Sequence, residues 1–115
     1  MVIKVFALSG EFAVATEDGT RLYDEMNSLL AGTENIELDF NGVRVIATPF
    51  FNAAIGRLLK DVSPEELRKR ISFNNLSPVG HQVLVKVVAN AKQYYHGDPA
   101  AREALDRILI DHSEH

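Results

Sequence analysis

No cysteine occurs in the 115 residues. A disulfide framework and thiolate metal sites are therefore excluded, and the chain is compatible with the reducing cytoplasm in which it is expected to reside. No apolar run approaches the roughly 20 residues that cross a bilayer. The amino-terminal MVIKVFALSGEF lacks a small-residue cleavage pattern and reads as a first strand rather than a signal peptide. An excess of basic residues is also missing. The formal net charge of −4 argues against nucleic acid or an anionic membrane as the main partner. There is no internal repeat and no low-complexity linker, so residues 1–115 are read as a single domain, with 98–115 as its carboxy-terminal helix and tail.

Motifs that carry chemistry are equally scarce. The sequence holds no glycine-rich phosphate loop of either common form and no Gly-x-Ser-x-Gly elbow, so a standard nucleotide site or serine hydrolase is unsupported. His81, His96, His112 and His115 lack a metal spacing with a third ligand. No metal or cofactor is expected. Asp39 is the only acid inside an apolar strand that invites a catalytic reading, as a general base or a ligand. The loop that follows it supplies only Arg44 as a charged neighbour, so capping of a turn is the favoured role and an enzyme built on Asp39 the weaker alternative.

What is present is organised around Ile36 to Lys60, IELDFNGVRVIATPFFNAAIGRLLK. Ile36 to Phe40 suits an interior strand, and Asn41-Gly42 breaks the run with turn chemistry. Thr48-Pro49 predicts a helix start, with Thr48 as N-cap and Pro49 at the first helical position, where its missing N–H costs nothing. Phe50, Phe51, Ala54, Ile55, Leu58 and Leu59 then recur at helical spacing and define a wide buried face. A strand that ends in a loop and a helix N-terminus is a frequent place for function, because free N–H groups collect there.

The remaining elements follow from similar signals. Ile3 to Leu8 and Phe12 to Thr16 read as an N-terminal hairpin across Ser9-Gly10-Glu11. Asp18-Gly19-Thr20 precedes a helix to about Ala31, with Leu22, Tyr23, Met26, Leu29 and Leu30 inward and Gly32 in the position of a C′ glycine. Ser63-Pro64-Glu65-Glu66 is a capping-box start. Ile71 to Phe73 is a strand, and Ser77-Pro78 opens the longest helix, with Leu84, Val87, Val88, Ala91 and Tyr95 inward. Asp98-Pro99 starts a last helix whose Leu105, Ile108 and Leu109 form one stripe. That stripe either docks on the domain or pairs with a second copy, and a homodimer is the preferred expectation. The order implies an α/β domain, a mixed β-sheet with helices packed on it.

The run LDFNGVRVIATPFFNAAIGRLL resembles the strand–loop–helix pattern of STAS domains, the fold of bacterial anti-sigma factor antagonists. TPFFNAAIGRLL followed by ISFNNLSPVGHQVLVKVVANAKQYY is more closely similar to the STAS-like domain of unknown function. The resemblance covers about Ile36 to Tyr95. It implies a single-domain STAS-like fold and a non-enzymatic regulatory role exerted by binding a protein partner, often a GHKL-type kinase-like ATPase domain, under control of serine or threonine phosphorylation. Aligned from Leu38-Asp39, the family's Asp-Ser-Ser-Gly falls on Ala47, Thr48, Pro49 and Phe50. The usual phosphoacceptor is thus Pro49, and only Thr48 offers a hydroxyl. The partner-binding surface expected from the loop and the first helical turn is Asn41, Thr48, Pro49, Phe50 and Asn52, with Thr48 the candidate for phosphorylation. A small-ligand or anion sensor at the Thr48 helix N-terminus is the other alternative.

Overall fold

The structure, a computed structural model, describes residues 1–96, without the side chain of His96. The last helix expected after Asp98-Pro99, with its stripe at Leu105, Ile108 and Leu109, falls outside the described residues. Strand β3 (Ile36–Asp39) is central. It pairs in parallel with β1 (Val2–Lys4) on one side and β5 (Ile71–Asn74) on the other. The interior strand expected from its apolar alternation is therefore in place, with Ile36 and Leu38 buried. A second parallel pair joins β2 (Phe12–Ala13) to β4 (Val45–Ile46).

The N-terminal hairpin does not form. Val5–Ser9 is a short helix, α1, and β1 and β2 belong to different sheets. The reason lies in the partner. The β1–β3 ladder runs from Val2↔Glu37 to Lys4↔Asp39, and β3 then turns away at Asn41-Gly42. Val5 to Leu8 has no neighbouring strand to bond, and a helical turn satisfies its backbone within itself. Val5 is buried, and Gly10 ends the turn with φ 70 while its N–H donates to Phe6 O. The two chains rejoin at Phe12↔Val45, where Arg44 and Val45 N–H both donate to Glu11 O.

Helix α2 (Thr16–Leu30) starts two residues before the Asp18-Gly19 signal. It buries Leu22 and Met26, with Tyr23, Leu29 and Leu30 partly buried. Gly32 follows the C-cap Ala31 without a positive φ. The carbonyls at this end are held instead by Arg70, whose guanidinium donates to the oxygens of Leu30 (3.0 Å), Gly32 (2.8 Å) and Glu34 (2.7 Å). A cation at a helix C-terminus also meets the favourable end of the macrodipole.

Helix α3 (Thr48–Phe51) continues as a π turn over Asn52–Gly56, where Arg57 N–H donates five residues back to Asn52 O, and then as a 3₁₀ turn over Arg57–Lys60. The expected buried face is present, with Phe50, Phe51, Ala54, Ile55, Leu58 and Leu59 all in the core. The widened turn falls where α2 presses closest. A Cβ on Gly19 would lie 2.3 Å from Phe50 O and 2.9 Å from Ala53 Cβ. Helix α4 (Pro64–Arg70) is capped by Ser63, whose Oγ accepts from Glu66 N–H at 3.1 Å. Helix α5 (Pro78–His96) is capped by Ser77, whose Oγ accepts from Gly80 N–H at 3.0 Å. Leu84, Val87 and Ala91 of α5 enter the core, with Val88 and Tyr95 packed against it. No helix among the described residues is long and apolar enough to cross a membrane.

Candidate functional site

Because β1, β3 and β5 run parallel, their carboxyl ends share one edge of the sheet, the edge where α/β proteins collect functional groups. Lys4, Asp39 and Asn74 stand in register there. Beyond them the chain makes two loops, after β3 and after β5, and Asp39 joins the two. Its Oδ1 accepts from Asn41 N–H at 2.9 Å and from Asn75 Nδ2 at 2.9 Å. The first bond closes an Asx turn. The second fixes Asn75, which holds φ 59, a left-handed conformation that asparagine tolerates better than most residues.

These bonds set the electrostatics of Asp39. The Asn75 amide, then the Asn41 N–H, hold its carboxyl below the ordinary carboxylate value. The Lys4 ammonium adds to the shift and partial desolvation opposes it. A carboxylate stabilised in its charged form is a weak base at neutral pH, so the geometry fits a residue that ties loops together. No group of three or more His, Cys, Asp or Glu side chains among the described residues is placed to hold a metal ion.

After Asn41, Val43 N–H donates to Phe40 O at 2.9 Å and Gly42 has φ 89, the positive value a type II turn requires at that position. The Phe6 ring sits over Gly42, 2.9 Å from where a Cβ would be. Helix α1 thus covers the loop, and any side chain at residue 42 would meet both strain and the ring. Phe40, at the strand end, packs edge-on against Phe51 at 5.8 Å and stacks with Phe73 at 6.3 Å. The loop is anchored on aromatic core at its base.

The five residues expected to form a partner surface divide. Asn41, Thr48, Pro49 and Asn52 are exposed. Phe50 is 0% exposed and packs on Phe51 at 5.6 Å, so it belongs to the core and is withdrawn from the surface. Its position one turn before Ala54 on the buried face, rather than its place in the family motif, decides this. Strand β4 separates Asn41 from Thr48, and no hydrogen bond among the described residues joins the two.

Thr48 also differs from its expected role. The N-cap is Ala47, which has extended geometry and whose oxygen accepts from Phe50 N–H at 3.1 Å. Thr48 and Pro49 are the first two helical residues, and no side chain caps the helix. Thr-Pro fits a cap pair by residue type, but proline is tolerated throughout the first turn, and here the pair is shifted one place inward. The Thr48 side chain is consequently exposed and is not the cap of its helix. Sequence reasoning missed Asn75 and Lys4. The Asn74-Asn75 pair was a usable turn signal, whereas the nearness of Lys4 to Asp39 depends on strand register.

A family model described as a STAS-like domain of unknown function matches residues 18–81, more than half of the chain. No curated protein and no solved structure gives a significant match.

Proposed function

From the premise that the chain belongs to the family of STAS-like domains of unknown function, we propose that it is a non-enzymatic regulatory module that works by binding another protein. The surface is the polar rim Asn41, Thr48, Pro49 and Asn52. The partner class is the one suggested by anti-sigma factor antagonists, a GHKL-type kinase-like ATPase domain, and phosphate on Thr48 is the switch. The observation that carries the reading is the exposure pattern of residues 48 to 52. Thr48, Pro49 and Asn52 face solvent while Phe50 and Phe51 between them are fully buried. A helix start pinned by two buried aromatics presents its exposed residues on a rigid support, as recognition surfaces require.

A phosphate at this position adds about −2 in charge at the positive end of the helix, so it changes the surface without unfolding it. The test is a pair of substitutions. Since Thr48 is not the cap, Thr48→Ala should change stability by less than about 0.5 kcal/mol, and Thr48→Asp should be neutral or stabilising by about 0.3–1 kcal/mol. Against a kinase-like ATPase domain encoded in the same genome, Thr48→Ala should bind and Thr48→Asp should not. Equal binding by the two variants removes the switch. Failure of both and of the wild-type chain to bind removes the partner class.

A further inference from the structure

We propose that the open edge of β5 is a docking groove for an extended acidic peptide segment of a partner protein, a surface separate from the rim at Thr48. Three independent features meet there. The first is a strand edge that no other strand among the described residues pairs with, because β5 ends the strand order β1-β3-β5. In a parallel strand, successive residues aim their backbone groups at opposite neighbours. Asn74 O accepts from Phe40 N–H on the β3 side, so the backbone of Phe73 faces the open edge. An added strand would find hydrogen-bonding groups there, the basis of recognition by β-augmentation.

The second feature is a groove at that edge of about 650 Å³, where Phe73 and Leu76 supply partly exposed apolar surface over the buried Ile71 and Leu84. Its lining takes in three consecutive residues of the strand, Ile71, Ser72 and Phe73, which suits an extended chain better than a compact ligand. The third is charge. Among the described residues, the ionisable side chains lining the groove are Arg68 and His81, and no carboxylate lines it. Arg68 stands in the basic last turn of α4, and its neighbour Arg70 is already committed to the carbonyls at the end of α2. Helix α5 starts beside the groove with no acid in its first turn, so the positive end of its dipole is not neutralised from within that turn. On a chain of net charge −4, the Arg68 guanidinium and an acid-free helix N-terminus beside this strand edge favour an acidic segment over a basic one.

The test uses the full-length chain and two fluorescent octapeptides, blocked at both ends, one alternating Glu and Val and the other Lys and Val. The Glu–Val peptide should bind saturably and at least ten times more tightly than the Lys–Val peptide, and binding should weaken with added salt. Amide shifts should centre on Ser72, Phe73, Asn75 and His81. Arg68 is exposed, so Arg68→Glu should keep the thermal midpoint and lose at least tenfold in affinity for the Glu–Val peptide. Thr48→Asp should leave peptide binding unchanged, which separates this groove from the rim. Equal affinity for the two peptides, shifts centred elsewhere, or an unaffected Arg68→Glu variant would overturn the proposal. So would movement of the same amides on raising protein concentration without peptide, which would make the edge a contact between copies of this chain.

Discussion

At the scale of single residues, two side chains hold together segments far apart in sequence. Asp39 joins the loops after β3 and β5, and its carboxyl is held below its ordinary value by Asn75, Asn41 and Lys4. The sign of the pH dependence follows. A carboxylate whose folded pKa is depressed stabilises the fold fully above the unfolded value, near 3.9, and that contribution disappears as pH falls through the lower folded value. A carbon-detected NMR titration should place Asp39 below the free-aspartate value, and Asp39→Ala should flatten the fall of the thermal midpoint below about pH 4. Arg70 is the second such residue, donating to three backbone carbonyls at the end of α2. Arg70→Ala should cost about 1–3 kcal/mol, since three charged hydrogen bonds are lost, the one to Leu30 O partly buried. Arg70→Lys should recover only part of this, because an ammonium cannot reproduce the guanidinium fork. Equilibrium denaturation of the three proteins decides it.

At the scale of elements, the helix that begins at Thr48 carries most of the argument. Its buried face was legible because Phe50, Phe51, Ala54, Ile55, Leu58 and Leu59 repeat at helical spacing, and all six are in the core. Its internal form was not. The π turn lies against α2, where Gly19 allows an approach that a methyl group would block. Gly19→Ala tests this contact. In an isolated helix the change would help by about 0.5–1 kcal/mol. Here the added carbon meets backbone oxygen, so the substitution should destabilise by about 1–3 kcal/mol, measured by chemical denaturation. A stabilised variant would mean that α2 does not approach α3 this closely. The caps show the same division. Ser63 and Ser77 cap the helices that their sequences announce, whereas Thr48, announced by an equally good Thr-Pro pair, begins one residue inside its helix.

For the whole molecule, every strand pair among the described residues is parallel. The strands β1 and β3 part at Lys4 and Asp39, and β2 and β4 pair again at Phe12 and Val45. The interruption carries α1 on one side and the Asn41-Gly42 turn on the other, and Phe6 over Gly42 packs these two excursions together. Asn75 lines the β5 groove and holds Asp39, which in turn holds Asn41, so the two proposed surfaces lie one shared carboxylate apart. Self-association is proposed to run through the stripe Leu105, Ile108 and Leu109. Sedimentation velocity at micromolar concentration should show a dimer that becomes a monomer when residues 98–115 are removed. A monomer in both forms ends the dimer proposal.

The sequence by itself determined the fold class, the central strand, the buried faces of the helices, two of the helix starts and the family resemblance. All of these rest on short-range patterns: apolar periodicity, cap residues and turn pairs read within a few positions of the chain. Tertiary structure alone decided the rest. Val5–Ser9 is helical because its neighbour strand has ended. Asp39, Asn75 and Lys4 meet because parallel strands bring residues 4, 39 and 75 to one edge. Each of these depends on which residues become neighbours across the sheet, and strand order and register, set by packing between distant segments, are not encoded in any local window.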